Sequence, residues 1–357
     1  MIVRDEESVL PGTLARLAPP VDEIVVVDTG SRDATREIAR RAGARVLEEP
    51  WCEDFAAARN AALAAARGRW CLMLDADERV DTATWGSLAA FLRAGDRSLG
   101  RITITSETAE GLVHESIVRL CRNDGRARYE GRIHEQLAAP GRVGDSGLEC
   151  RHEGYGDAAL AGKDKIARNL RLLRRALEDA PGDSYLRYQL GRTLWRSERR
   201  DQRTEALQHL RSAVAEAPAE AIWAVGALRD LGYALRESGD RDEALALVRR
   251  GRAAHPRFTD LAFLEGLLHL DRGDAPSMVR AFQECLRLGE TRRYTSVDGV
   301  GSYRAHHNLG LFRELGGDAS GARVHYEAAL AAAPGFAPSR ERLAGLDGSV
   351  SAGRMDR

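Results

Sequence analysis

The second half of the chain repeats itself, and a repeat limits the possible folds more than any other feature of this sequence. Gly191, Gly232, Gly266 and Gly310 occupy equivalent places, preceded by Leu190, Leu231, Glu265 and Leu309. Ala244 and Ala322 stand 12 residues after Gly232 and Gly310, and Pro256 and Pro334 stand 24 residues after them. The first copy carries three extra residues, giving Ala206 and Pro218, and the third is degenerate, with Met278 and Glu290 at those places. Glycine lets two helices approach closely, alanine packs at their crossing, and proline ends the second helix. Such a period describes a helix-turn-helix unit of about 34 residues. A helical array is therefore expected over 157–346, interrupted around Thr291 to Ser302, with a flexible tail over 347–357. The pattern says much about fold and little about function, because such arrays serve both as binding grooves and as dimerisation surfaces.

The first half follows a different rule. Glu23 to Asp28 is a short β-branched run of the kind buried on both faces of a parallel sheet. Thr29-Gly30-Ser31 breaks it, and Ser31 and Asp33 are N-cap types for a helix that continues through Arg41 and ends at Gly43. Ala44 to Leu47 reads as a strand and Phe55 to Arg67 as an alanine-rich helix. Trp70 to Leu74 reads as a buried strand that ends at Asp75-Ala76-Asp77-Glu78. Alternating strands and helices imply right-handed crossovers and a parallel sheet. Ligands then belong at the carboxyl ends of the strands, where Asp28, Asp75 and Asp77 lie.

Bulk properties exclude several classes. With 357 residues and 43% apolar content, the chain can bury two cores and is not generally disordered. The 53 Lys and Arg nearly cancel the 54 Asp and Glu, so the overall field favours neither nucleic acid nor an anionic membrane as main partner. A basic run at Lys163, Lys165, Arg168, Arg171, Arg174 and Arg175 reads as one solvated helix face, with a phosphate-facing role as the alternative. Five scattered cysteines without a CxxC pair indicate neither a disulfide framework nor a zinc knuckle, and a reducing cytoplasm fits them best. Cys71, inside an apolar run, reads as core. No stretch approaches the roughly 20 apolar residues of a membrane span, and no basic-then-apolar leader opens the chain.

Three elements carry chemistry. Asp75 and Asp77, two residues apart after a buried strand, can both turn toward one cation; hard ions such as Mg²⁺ or Mn²⁺ prefer oxygen ligands and bridge readily to a diphosphate. Asp28 ends a strand where its carboxylate can accept from a uracil N–H or a ribose hydroxyl, or can form an Asx turn, or both. Arg59, beside Asn60 on the alanine-rich helix, can reach a nucleotide or those carboxylates, or can be a surface arginine without a role.

Together these residues resemble the family-2 inverting glycosyltransferases of the GT-A fold. The likeness runs through Met1-Ile2-Val3-Arg4-Asp5-Glu6-Glu7, Val27-Asp28-Thr29-Gly30-Ser31-x-Asp33-x-Thr35, Phe55-Ala56-Ala57-Ala58-Arg59-Asn60 and Leu74-Asp75-Ala76-Asp77-Glu78. Four ordered blocks at sensible spacing are more specific than any one of them. The resemblance implies an α/β GT-A domain over 1–156, Rossmann-like with a mainly parallel sheet, followed by tetratricopeptide-type repeats. It implies a nucleotide-sugar donor, most often a UDP-sugar, a Mg²⁺ or Mn²⁺ cofactor, and inversion at the anomeric carbon. Nucleotide-sugar contacts then fall to Val3, Arg4, Glu6, Asp28, Arg59, Asp75 and Ala76, and metal binding to Asp77. In this family the first strand begins several residues before the block that here opens at Met1, so the start is truncated or that strand is short.

The likeness extends to a subgroup with a tetratricopeptide tail through Arg119-Leu120-Cys121-Arg122-Asn123, Gly131-Arg132-Ile133-His134-Glu135, His152-Glu153-Gly154-Tyr155 and Lys163-Asp164-Lys165-x-x-Arg168-Asn169. Some members attach sugars to ribosomally made bacteriocin peptides, others act on glycans or small molecules. Inverting transfer needs a base for the acceptor's proton. Glu135 is the candidate, with His134 as helper or rival, the alternative being that both only hold a loop. His152 follows a plausible last strand, and related folds often use such a late histidine as a further metal ligand. His114-Glu115 reads as exposed polar filler.

The partners expected are the donor and a peptide, glycan or small-molecule acceptor, with a homodimer through the repeats as an option. Two other classes compete. A scaffold that only senses nucleotide-sugar needs no candidate base beside its metal site. A nucleotidyltransferase usually opens on a glycine-rich basic phosphate loop, which the acidic Asp5-Glu6-Glu7 does not match.

Overall fold

The computed structural model describes residues 1–17, 20–95, 97–108, 111–152, 158–197, 199–218, 221–291 and 294–355. The expected boundary at 156/157, the Glu153 to Tyr155 landmark and the side chain of Lys163 lie outside the described residues. The chain forms two compact units, Met1–Ala206 and Leu207–Arg357.

In the first unit, β1 (Ile2–Val3), α1 (Leu10–Leu14), β2 (Val25–Asp28), α2 (Thr35–Arg41) and β3 (Arg45–Glu48) alternate, and the strands pair in parallel in the order β1-β2-β3. Val26 and Val27 are fully buried, as a β-branched run between two layers requires. Helix α3 (Phe55–Ala65) starts at an Asp54 cap whose Oδ1 accepts from the Ala57 amide at 2.9 Å. There follow β4 (Trp70–Leu72), β5 (Glu78–Val80), α4 (Trp85–Arg93), β6 (Leu99–Thr108), β7 (Gly111–Arg122), the short pair β8 (Arg128–Glu130) and β9 (Gln136–Ala138), and β10 (Val143–His152). The second sheet runs β7-β6-β10-β5, with β4 on β7. Parallel pairing therefore holds across β1 to β3 and between β6 and β10. Strand β4 instead pairs antiparallel with β7, because this return strand of a long hairpin occupies the edge beside it. Cys71 and Cys121 face each other in that pairing, both buried, as the core reading of Cys71 expects.

The same unit ends in helices: α5 (Ala158–Asp179), α6 (Ser184–Trp195) and the first residues of α7 (Arg200–Glu216). Leu172, Leu173, Leu190 and Leu194 form an apolar cluster there, separate from the core of the sheets.

The second unit is the array proper: α8 (Ile222–Ser238), α9 (Arg241–Ala254), α10 (Thr259–Asp271), α11 (Ala275–Leu288), the two-residue β11 (Ser296–Val297), α12 (Tyr303–Leu315), α13 (Ala319–Ala332) and α14 (Ala337–Met355). The repeat residues do what their spacing implies. A Cβ on Gly232, Gly266 or Gly310 would lie 2.7 Å from Leu264, 2.7 Å from Phe282 or 2.6 Å from Tyr326. Ala244 and Ala322 are fully buried, and Pro256 and Pro334 follow the ends of α9 and α13. The interruption is tied to the array by buried Asp260, which accepts from Ser296 Oγ at 2.6 Å and the Val297 amide at 3.0 Å. Helix α14 continues past residue 346, where the sequence pattern places the start of a tail.

Candidate active site

The rim is built by two loops zipped together. The Asp5 amide donates to Ser31 Oγ at 3.0 Å, the Glu6 amide to Thr35 Oγ1 at 2.7 Å and the Glu7 amide to Asp33 Oδ2 at 3.1 Å. In return, Asp5 accepts from the Arg32 amide at 2.7 Å and Glu7 from the Ala34 amide at 2.9 Å. This corrects the cap expected of Ser31: Asp5 claims its hydroxyl, so α2 starts only at Thr35, whose amide donates to Asp33 Oδ1. Val3 is buried in the core and Arg4 is exposed beside Asp5.

Asp28 lies beneath this rim, 1% exposed. Its Oδ1 accepts from the Gly30 and Ser31 amides at 3.1 and 3.0 Å, so the Asx turn forms. Its Oδ2 is buried and has no partner among the described residues. A buried carboxylate oxygen is costly to leave unpaired. The turn and an acceptor for an outside N–H or hydroxyl thus coexist on one side chain.

The Asp75 turn is gripped by two arginines. Asp75 Oδ1 pairs with Arg59 Nη2 at 2.8 Å and Oδ2 with Arg119 Nη2 at 3.1 Å. The same Arg119 nitrogen reaches Glu78 Oε1 at 3.2 Å, and Glu78 Oε2 accepts from the Asp75 amide at 2.9 Å. Burial opposes ionisation of Asp75, but Arg119 and Arg59 outweigh it and hold the carboxyl below the usual range. Glu78, buried and facing Asp75, is pushed up to about 7. Arg59 is no surface residue, being 4% exposed. Its Nε binds Glu135, its ring neighbour is Tyr129 at 5.5 Å, and its Nη1 is buried with no partner among the described residues.

Asp77 and His152 meet on the other side of the turn. His152 ends β10 and its Nε2 lies 2.8 Å from Asp77 Oδ2, with Ser106 Oγ 3.4 Å from Nδ1. The bond to Asp77 raises the imidazole's affinity for a proton. Glu6 joins this acidic corner: burial and Asp77 push its carboxyl up to about 7. Both Asp77 and His152 keep about a third of their side chains exposed, at 28% and 35%. Among the described residues no group of three or more His, Cys, Asp or Glu is arranged around one cation. Asp75 is committed to its two arginines, whereas Asp77 faces His152. Ala76 between the carboxylates is buried, and its carbonyl accepts from Thr13 Oγ1 at 2.6 Å.

The loop between β8 and β9 brings Glu135 in. Asn60 clamps its base from α3, donating to the Tyr129 carbonyl at 2.9 Å and accepting from the Tyr129 amide at 2.7 Å. His134 does not join the chain of contacts from Arg59 to Asp75. Its φ is 52°, its Nε2 is buried without a partner among the described residues, and burial together with the charges of Arg192 and Arg196 pushes it down to about 4. His114, expected to be exposed, is half-buried at 2.9 Å from Thr105 Oγ1, and Glu115 lies 3.9 Å from Arg192. Of the basic run, Arg171 and Arg175 bind Glu53 and Arg174 binds Glu205, whereas the charge of Lys165 acts on Glu6 and His152.

Sequence reasoning missed Arg119 and Glu78 as parts of the site. One signal was available: Arg119 is a lone charge beside two apolar residues, Leu120 and Cys121, on a strand.

Residues 1–143 match the model of a family described as Glycosyl transferase family 2. A TPR repeat-containing protein of Synechococcus elongatus is 33% identical over 308 residues, 72% of this chain and 75% of that protein. The lipopolysaccharide core biosynthesis glycosyltransferase LpsC of Rhizobium meliloti is 33% identical over 138 residues, 35% of this chain and 50% of LpsC. The chain therefore matches about half the length of that second relative. Among solved structures, MamA is similar at 18% identity and a TM-score of 0.40, covering 54% of this chain and 99% of MamA. A thermophilic TPR protein of Thermus thermophilus is similar at 22% identity and a TM-score of 0.38, covering 52% of this chain and 93% of its own.

Proposed function

The chain belongs to the family-2 glycosyltransferases that carry a tetratricopeptide-repeat tail, and from that premise we propose that it transfers a sugar from a UDP-sugar, with inversion, in a reaction that needs Mg²⁺ or Mn²⁺. The observation that carries the metal reading is the 2.8 Å approach of Asp77 to His152, two side chains 75 residues apart in sequence. They would hold the cation, which would neutralise charge on the departing diphosphate. Asp28 receives the nucleoside through its unpaired Oδ2, and Arg59, with its unpaired Nη1, faces the nucleotide end. Arg119 and Arg59 fix Asp75, and so the turn that presents Asp77.

Glu135 is the base. Its pair with Arg59 fixes the carboxylate in one orientation, from which it takes the acceptor's proton as the acceptor attacks the anomeric carbon opposite the leaving diphosphate. His134 is the weaker choice, since burial and the charges of Arg192 and Arg196 push it down to about 4. The acceptor is a peptide, a glycan or a small molecule, and the name of the LpsC relative favours a glycan. The repeats present it or pair two copies of the chain. Among the described residues no helix is long and apolar enough to cross a membrane, and five free thiols favour the cytoplasm.

Two variants test the assignment. Asp77→Ala should abolish transfer and the dependence of donor binding on metal; full activity would sink the metal role. Glu135→Gln should bind donor normally and turn over at least about a hundredfold more slowly, the usual worth of a general base. Turnover near wild type would place the base elsewhere, with His134 the next residue to replace.

A further inference from the structure

The loop that carries Glu135 is held by contacts outside itself. It runs Gly131-Arg132-Ile133-His134-Glu135, with Gly131 at φ 96° and His134 at φ 52°. The second value is left-handed backbone, which is uncommon for a residue with a side chain. Ile133, between them, ties the stretch down. Ile133 is 3% exposed, yet it is buried outside the core of the sheets, in the apolar cluster made by Leu172, Leu173, Leu190 and Leu194 of α5 and α6.

Two further contacts fasten the same stretch. The Arg132 carbonyl accepts from the Phe55 amide at 2.9 Å, and the Arg132 guanidinium reaches Asp179, the last residue of α5, at 3.3 Å. Phe55 itself packs against the helical cluster, and Arg59 lies one helical turn beyond it on α3. Both partners of the Arg59–Glu135 ion pair therefore hang from one apolar cluster, Glu135 two residues after Ile133 and Arg59 four after Phe55.

We propose that Ile133 is a positioning residue for sugar transfer, seated in a platform formed by α5 and α6 that aims Glu135; the proposal rests on Glu135 being the base. Helices outside the matched family segment of 1–143 then have a task in catalysis itself, apart from any acceptor binding by later repeats. Removing side-chain volume at Ile133 lets the loop shift, and a misplacement of about 1 Å at a reacting group costs about a hundredfold in rate. Donor contacts at Asp28 and Asp77 lie on other elements, and Arg59 stays fixed on α3 by Asp75, so donor binding should not feel the change.

The test compares kcat and donor KM for the full chain and for Ile133→Ala, Ile133→Val, Glu135→Gln and the Ile133→Ala/Glu135→Gln double variant. Expected is a fall in kcat of about tenfold or more for Ile133→Ala with donor KM within about twofold, most of the rate restored by valine, and little further loss in the double variant. The proposal is overturned if Ile133→Ala keeps kcat within about twofold of wild type, if kcat and donor KM worsen together, or if alanine costs the same factor with and without Glu135. Should the alanine variant not fold, valine decides: about a twofold fall in kcat at unchanged KM supports the proposal, and no fall overturns it. Near-wild-type turnover in Glu135→Gln removes the base assignment first, and that result is distinct from a failure at Ile133.

Discussion

At the scale of single residues the site is a set of buried charges whose partners are mostly visible. Asp75 has two arginines, Glu78 has Arg119 and the Asp75 amide, and Glu135 has Arg59. The exceptions are informative. Asp28 Oδ2 and Arg59 Nη1 stand unpaired at the site, an acceptor and a donor that a ligand can use. His134 is an exception of another kind, kept neutral by burial and two arginines. An unfolded histidine takes up its proton near 6.5, whereas here it does so near 4, so the folded state binds fewer protons in between. The stability it contributes is present above pH 6.5 and is lost as pH falls toward 4, by no more than about 3 kcal/mol. Asparagine tolerates the positive φ, so His134→Asn should narrow the gap in urea midpoint between pH 7 and pH 5. An unchanged gap would mean that the histidine is not held neutral.

At the scale of elements, the fold was largely legible because its signals are local. The β-branched run before Asp28, the alanine-rich helix from Phe55 and the repeat glycines each appear where periodicity puts them. The start of α2 was misread because Ser31 bonds to Asp5, a residue 26 positions away. The same limit hid Arg119 and the seat of Glu135. Arg119 reaches Asp75 only because β4 and β7 pair in one register, and Ile133 supports Glu135 only because α5 and α6 build a cluster around it. No window of sequence contains such pairings. The glycines allow a test at this scale. Phe282 is fully buried, so a methyl group at Gly266, 2.7 Å from its ring, must displace it. Overpacking costs about 1–3 kcal/mol and better helix propensity returns about 1, so Gly266→Ala should lose about 1 kcal/mol. Gly345 in α14 has nothing within 4 Å of its Cβ position, so Gly345→Ala should be neutral or slightly stabilising. Equal effects at the two positions, read from urea unfolding, would refute the close helix contact at Gly266.

At the scale of the whole molecule, the repeat and the α/β alternation set the architecture, and the site belongs entirely to the unit Met1–Ala206. That unit includes α5 and α6, which share their apolar cluster with Ile133 and Phe55. The second unit carries the repeats, whose glycines and alanines pack at helix contacts. In the proposed function the donor is held jointly by Asp28 and by a cation on Asp77 and His152. Ligand binding to the folded state raises the melting temperature by mass action. The most direct test is therefore a thermal-shift series of UDP-sugars with and without Mn²⁺, on the wild type and on Asp77→Ala. The account predicts a rise in Tm for at least one UDP-sugar that needs Mn²⁺ and vanishes in the variant. A rise that is equal without metal, or that survives in Asp77→Ala, would contradict it.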